Sequence, residues 1–285
     1  MPAPERQILA EGRQHWRHGP IDLVINARGA PKAVAGAYAE AWVRFQCVLP
    51  ELVHELASLK APLGPASRVD GKVAVRMLAV CRPFVPAFIT PMAAVAGSVA
   101  DEILAFFAID GIERAYVNNG GDIAIHLAPG HSLTIGLIPD AYAPKAGGTI
   151  ILNADGPVRG VATSGWRGRS FSLGIADSVT VLAKSAAAAD AAATMIANAV
   201  DIDHPAIRRV PACTVKDDSD LGDRLVTVDV GILPHRLVAD ALDQGATAAA
   251  ALAKRGLIAG AALALQNQWR TAGVAVEVAL QLRAA

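Results

Sequence analysis

The chain is poor in aromatic residues, in cysteine and in charge, and each shortage excludes a class of protein. Only six Phe, three Tyr and four Trp occur in 285 residues, so large flat side chains cannot dominate the core. Three widely spaced cysteines, Cys47, Cys81 and Cys213, with no C-x-x-C pair, suggest neither a disulfide framework nor a zinc site. The 26 basic and 26 acidic residues cancel, which argues against bulk attraction to nucleic acid or an anionic membrane. Long uninterrupted apolar runs are also missing: the most apolar stretch, Met77 to Ala100, is cut by Pro83, Pro86 and Pro91 into pieces too short to span a bilayer. The first twenty residues carry Glu5, Arg6, Glu11, Arg13, Arg17 and two histidines, read as a charged, frayed terminus with no signal or lipoprotein leader. A cytoplasmic protein with no nucleic-acid or membrane partner is expected.

What the chain has in excess is alanine. Fifty-nine of 285 residues are Ala, and 53% are apolar with a positive mean hydropathy of +0.37. High hydropathy without net charge excludes intrinsic disorder. Small side chains permit close backbone approach, which suits helices packed on a sheet, and one α+β domain over 1–285 is expected. Ile21 to Arg28 reads as a strand. Val34, Tyr38, Trp42, Phe45 and Leu49 recur at helical spacing between Ala33 and Lys60, with Pro50 expected to split that region into two helices. Helices are expected over Gly71–Val80 and Met92–Ala108. Short strands follow at Glu113–Asn118, Ile123–Leu127, Leu133–Ile138, Thr149–Leu152, Val158–Thr163 and Ser178–Ala183. Ala186–Val200 is a helix with Ser185 as its N-cap. Leu225–Val230 is a strand, His235–Arg255 and Gly256–Gln268 are helical, and Val274–Leu282 is a late strand. The aspartates between Asp217 and Asp223 lack the register of a calcium loop and read as a solvated connection.

Three constellations could carry chemistry. In Tyr116-Val-Asn118-Asn119-Gly120-Gly121-Asp122, adjacent glycines at a strand end either form a hairpin turn or expose backbone N–H groups to a ligand. In Gly160-Val-Ala162-Thr163-Ser164-Gly165-Trp166-Arg167, consecutive hydroxyls before a glycine could meet a phosphate, with Arg167 and Arg169 as charge partners. No base accompanies Ser164, so a hydrolase triad is not expected and no catalytic residue is assigned. On the Ala186–Val200 helix, Asp190 and Thr194 stand four apart on one face and offer hard oxygens of the kind magnesium accepts. An Asp favoured by the helix dipole and a back-bonded Thr give the same pattern.

The order of these segments, NNGGD, then ATSG, then SVTV, then ADAAAT, resembles the FAD:protein FMN transferase (ApbE-like) superfamily, with a motif core over about 91–200. The resemblance implies a T-fold-related α+β domain with a mixed or antiparallel sheet, FAD and Mg²⁺ as cofactors, and transfer of FMN to a Thr or Ser of an acceptor protein. By motif, Asn118, Gly120, Gly121, Asp122, Thr163, Ser164 and Gly165 match the ligand-side residues. Asp190, Thr194 and the carbonyl of Ala96 match the metal-side ones. The chain departs in two places. The superfamily's lysine after that alanine is replaced by Gly97 or Ser98, and its H-x-x-D-P-x-T-G segment is absent, with only residues 166–177 between ATSG and SVTV. A phosphorylated small molecule, an acceptor protein and a second copy of the chain are the partners expected. The alternative is a non-catalytic binding protein for a flavin or another phosphorylated cofactor.

Overall fold

The computed structural model describes residues 2–137 and 148–273. In chain order the strands and helices are β1 (Glu5–Ile8), β2 (Gln14–His18), β3 (Ile21–Gly29), α1 (Pro31–His54), α2 (Leu56–Lys60), α3 (Lys72–Cys81) and α4 (Val95–Leu104). There follow β4 (Ile112–Asn119), β5 (Asp122–Leu127), β6 (Ser132–Leu137), β7 (Gly148–Asn153), β8 (Gly160–Ser164), β9 (Ser178–Ala183) and α5 (Ala186–Ala199). The rest are β10 (Ile207–Pro211), α6 (Ala212–Val215), β11 (Leu225–Val230), α7 (His235–Lys254), β12 (Gly260–Leu265) and β13 (Gln268–Ala272). The class is α+β. The described residues group into two units, one of 2–133, 152–162 and 184–190, the other of 134–137, 148–151, 163–183 and 191–273.

The first unit is built on antiparallel strands in the order β1-β2-β3-β4-β5-β8. Alternation along β3 sends Ile21, Leu23 and Ile25 to one buried face, as a strand's two-residue period requires. Against that face α1 lays Tyr38, Ala41, Phe45, Val48 and Leu52, the three- and four-residue spacing of one helix stripe. Trp16 is fully buried and its ring meets Tyr38, Trp42 and Phe45 at centroid distances of 6.2, 5.2 and 5.5 Å. Burial raises the Tyr38 phenol to about 12. Four of the chain's few aromatics are thus concentrated at one point of this core.

The second unit is centred on β9 and β12, which pair antiparallel and are buried at all six positions each, with β13 beyond β12. The helix α7 packs on β12 and β13. Gly245 allows that approach, since a Cβ there would stand 2.3 Å from Val200 Cγ2 and 2.7 Å from Leu263 Cδ2. β10 and β11 form a two-stranded sheet of their own, as do β6 and β7.

Three expectations are corrected. Pro50 does not split the first helical region, because α1 continues to His54 and ends at Glu55. Pro50 and Gln46, whose carbonyl loses its bond to a proline, both lie on the exposed side, where water takes over the freed oxygen. The amino-terminal segment is not frayed: β1 and β2 pair, Trp16 and His18 are buried, and His15 Nε2 lies 2.9 Å from Asp22 Oδ1. Residues 256–268 are not helical. They contain β12, whose run of Ala and Leu is buried on both faces, so the two-residue alternation that marks a half-exposed strand is erased. The strand expected at Val274–Leu282 lies outside the described residues. No described helix is long and apolar enough to cross a membrane.

Candidate functional site

In the first unit three segments distant in sequence converge: the start of α4, the β4–β5 turn and the first half of α5. The turn is a two-residue hairpin, with Asn119 paired to Asp122 across Gly120 and Gly121. Both glycines have positive φ, 67° and 114°, a region that L side chains rarely adopt. Asn118 Oδ1 accepts from the Gly121 N–H at 2.8 Å, so Asn118 holds the turn itself. Its neighbour Asn119, buried, reaches out instead, and its Nδ2 donates to the Ala96 carbonyl at 3.1 Å. Asp122, 8% exposed, sits where the hairpin leaves the turn.

The helices α4 and α5 cap each other. The first N–H groups of a helix have no partner inside it. Asp190 Oδ2, from α5, accepts from the Gly97 N–H at the start of α4 at 2.9 Å. In return Asp101, from α4, accepts with both carboxylate oxygens from Ala186 and Ala187 N–H at 3.0 and 2.9 Å. Ser185 completes the α5 cap, its Oγ accepting from Ala188 N–H at 3.2 Å. This reciprocity needs the helices to touch at the backbone. A Cβ on Gly97 would stand 2.3 Å from the Ala186 carbonyl oxygen, and one on Gly160 of β8 would stand 2.0 Å from Ser185 C. The superfamily's lysine therefore has no room at Gly97, and at Ser98 it would meet a position with no exposed surface.

The electrostatics at Asp190 are unbalanced. Burial pushes its carboxyl well above the usual carboxylate range and the nearby Asp122 pushes it the same way, while the Gly97 and Ala96 N–H groups pull it back and Asp101 adds further repulsion. The Asp101 carboxyl is also raised by burial, against its N–H partners and Arg76. A second charged cluster on α4 is balanced by contrast. Glu102, with no exposed surface, is met by Arg44 Nε at 2.8 Å, Arg76 at 3.0 Å and Lys72 at 3.2 Å, and these partners hold it below the usual range against its burial. It is structural.

Ala96 O, Asp122 and Asp190 are hard oxygen donors of the type that binds magnesium, which keeps several waters and takes only one or two protein carboxylates. Among the described residues no group of three or more His, Cys, Asp or Glu is arranged to hold a metal. Thr194 lies four residues further along α5 and is half-buried.

The other expected ligand residues belong to the second unit. Thr163 is exposed and shares a hydrogen bond of 2.9 Å with Thr180 Oγ1, and Ser164 is half-buried. Gly165 is buried, and a Cβ there would stand 2.5 Å from the Asp177 carbonyl oxygen. The sequence reading missed the part played by Asp177. Its Oδ1 accepts from Trp166 Nε1 at 3.1 Å and lies 3.2 Å from Arg167 Nε, and its Oδ2 accepts from Gln266 N–H at 2.7 Å. It thereby ties the 166–171 bend to the β12–β13 turn. Asp101 and a role for Asn119 were likewise not singled out; of these, only the doubled Asn at a strand end carried a signal, since alternation puts one of the two inside.

A UPF0280 protein from Methanothermobacter thermautotrophicus is 41% identical over 142 residues, covering 49% of this chain and 53% of that protein. Another from Archaeoglobus fulgidus is 37% identical over 139 residues, covering 48% and 54%. The chain spans about half the length of the curated relatives it matches. Among solved structures, the flavin transferase ApbE from Vibrio cholerae aligns over 98% of this chain and 100% of its own, with a TM-score of 0.46 and 14% identity. The flavinyl transferase ApbE from Pseudomonas stutzeri aligns over 98% of both chains, with a TM-score of 0.45 and 12% identity. The family model described as AbpE bacteria matches residues 6–271, nearly the whole of the described chain, and the protein belongs to that family.

Proposed function

We propose that the protein is a magnesium-dependent flavin transferase, or a related phosphoryl-transfer enzyme, that cleaves the diphosphate of a dinucleotide such as FAD. One observation carries the reading: Ala96, Asp122 and Asp190, from three distant segments, are brought to one place where two carboxylates repel each other. A carboxylate offers about four lone-pair sites, so the bond from Gly97 leaves Asp190 with capacity for a cation. Family membership supports the same reading.

Asp190 and the Ala96 carbonyl, with Asp122 beside them, would hold Mg²⁺, and Thr194 is the further ligand proposed from its place on α5. Bound there, the metal would neutralise charge on a diphosphate. The Asn119 amide fixes the Ala96 carbonyl, and the α4 N–H groups fix Asp190, so the donors are oriented before a ligand arrives. The Gly120-Gly121 turn, free of side chains, lets a phosphate approach the main chain. Asn118, Gly120, Gly121, Thr163, Ser164 and Gly165 are proposed as ligand-side residues on motif grounds. In the transfer, an acceptor Thr or Ser oxygen attacks the phosphorus on the flavin side. The P–O–P bond breaks, AMP leaves with the electron pair, and the hydroxyl proton passes to solvent. A cytoplasmic location and an acceptor protein belong to the same proposal.

The experiment has two stages. FAD is expected to raise the melting temperature only with magnesium present, and Asp190→Asn to remove that magnesium dependence. Incubation with FAD and a Thr-containing acceptor peptide is then expected to add the mass of FMN. Indifference to FAD with and without magnesium overturns the proposal, while magnesium-dependent binding without mass transfer leaves a binding protein in its place.

A further inference from the structure

The strands of the first unit end at an open edge. Among the described residues β1 lies outermost in the order β1-β2-β3, pairs only with β2, and is exposed along its whole length. The ladders decide which of its main-chain groups face outward. The β2–β3 hairpin closes across Gly19 and Pro20 with His18 paired to Ile21, so by alternation Gln14, Trp16 and His18 bond to β3, while His15 and Arg17 bond to β1. Their partners on β1 are Gln7 and Glu5. Leu9 N–H, which donates to the Arg13 carbonyl at 2.8 Å, continues the same series. The N–H and C=O groups of Arg6 and Ile8 therefore point away from the fold.

An open edge recruits another strand unless charge, proline or a covering segment guards it. On β1 the guard is withdrawn. Arg6 stands opposite the buried Trp16 and leaves on the α1 face, where its guanidinium carbon lies 5.0 Å from the centroid of the Trp42 ring. Its charge is drawn back over the helix. Ile8, on the same face by the two-residue period of a strand, is 77% exposed.

We infer that β1 is a dimerisation edge whose occupant is β1 of a second copy of this chain, antiparallel across a two-fold axis at Gln7. Hydrogen bonding and charge select this register. Arg6 and Ile8 then exchange main-chain hydrogen bonds with the partner's Ile8 and Arg6, and no like charges face each other. Moving the axis to Arg6 sets that residue against the partner's Arg6, which is unfavourable, and brings Ile8 against the partner's Pro4, which has no N–H. Moving it to Ile8 places Arg6 against the partner's Ala10, past the end of the strand. With the axis at Gln7 the contact is self-complementary: Ile8 covers the stem of the partner's Arg6 beside the partner's Trp42, and the reverse contact repeats it.

The contact is small. A strand of 4 residues flanked by Ile8 and Trp42 buries less than the roughly 1,200 Å² of stable interfaces, which corresponds to a reversible dimer with a Kd of about 10–100 µM. The inference goes beyond the transferase reading and stands without it.

The test is sedimentation velocity of the full chain over about 1 to 500 µM, where a monomer–dimer equilibrium is expected. Ile8→Pro removes an outward N–H and leaves the β1–β2 ladder intact, so it should stay monomeric throughout and keep the wild-type melting temperature in dilute solution. Gln7→Cys, on a background of Cys47→Ser and Cys213→Ser, sets a thiol against its own copy at a non-hydrogen-bonded pair, where the Cα separation of about 4.5 Å suits a disulfide. Mild oxidation should crosslink it at least about tenfold faster than Glu5→Cys on the same background, because the two Glu5 positions stand about 13 Å apart in this register. The inference is overturned if the wild type stays monomeric at about 500 µM, if Ile8→Pro dimerises as tightly as the wild type, or if Gln7→Cys crosslinks no faster than Glu5→Cys.

Discussion

Gly97→Ala adds one methyl group where α4 meets α5, and its effect follows from opposing contributions of known size. The ideal Cβ stands 2.3 Å from the Ala186 oxygen, 2.5 Å from the Ala186 carbon and 2.7 Å from the Ala187 nitrogen. All three are backbone atoms of the first turn of α5, so no side chain can rotate away. Replacing a helical glycine by alanine in open space stabilises by up to about 1 kcal/mol. Overpacking a closed contact costs about 1–3 kcal/mol, and moving α5 outward also stretches the Asp190 and Asp101 caps, each worth about 1 kcal/mol. The net expectation is a loss of about 1–3 kcal/mol, which lowers the melting temperature by about 3–10 °C for a chain of this size. Gly36, in the interior of α1, has nothing within 4 Å of its ideal Cβ. The same substitution there should raise stability by about 0.5–1 kcal/mol. Both variants are compared with the wild type by scanning calorimetry. A Gly97→Ala protein that melts at or above the wild type, alongside a stabilised Gly36→Ala, would refute the close-contact reasoning.

The two capping carboxylates should respond differently to substitution. Asp101→Ala leaves two α5 N–H groups without their acceptor and should cost about 1–2 kcal/mol in urea unfolding; Asp190→Asn keeps an acceptor for Gly97 and removes the repulsion with Asp122, so in EDTA it should melt no lower than the wild type. Glu102→Ala strands Arg44 and Arg76 against a buried position and should cost about 3–5 kcal/mol; a loss below about 1 kcal/mol by the same assay would show that the cluster relaxes into water. The Glu102 carboxyl is held below its usual value in the fold, so its contribution is fully present above the unfolded value of 4.5 and disappears as pH falls through the lower folded value. Glu102→Gln should therefore flatten the acid limb of the wild-type stability profile, and an unchanged limb would assign acid unfolding to other carboxylates.

The sequence was most readable where one side of an element meets solvent. α1, α3 and α7 carry helical stripes, and β3, β4 and β5 alternate or end at strong turn residues, so their places follow from periodicity. It was least readable where burial is complete. β12 has no polar side, and alanine, the commonest residue there, favours a helix intrinsically; only the pairing with β9 and β13 decides the matter. Trp16 and His18 were hidden for the opposite reason, because charged neighbours on the alternate face of β2 disguised a buried strand. At the candidate site, Asp190, Asp122 and Ala96 were reached through the order of motifs. Asn119 and Asp101 were not, because their partners lie 23 and 85 residues away and no local pattern encodes such pairings.

The abundance of alanine and the absence of net charge have a common physical consequence at the α4–α5 contact. Larger residues would hold these helices roughly 8–10 Å apart, axis to axis, beyond the reach of a short aspartate to the neighbouring backbone. With Gly97 facing Ala186, each helix can instead satisfy the other's first N–H groups with an Asp, and no surface cation is needed to neutralise them. The arrangement is not symmetric in charge. Asp101 has Arg76 among its partners, whereas Asp190 faces Asp122, so one cap has a cation beside it and the other a second carboxyl group. A uniformly basic cleft would attract any polyanion, whereas in the proposed function two carboxyl groups beside an oriented carbonyl would take a divalent cation first and a phosphate only through it. In a chain with no net charge, the proposed specificity for a metal-bound diphosphate would rest on backbone proximity rather than on surface potential.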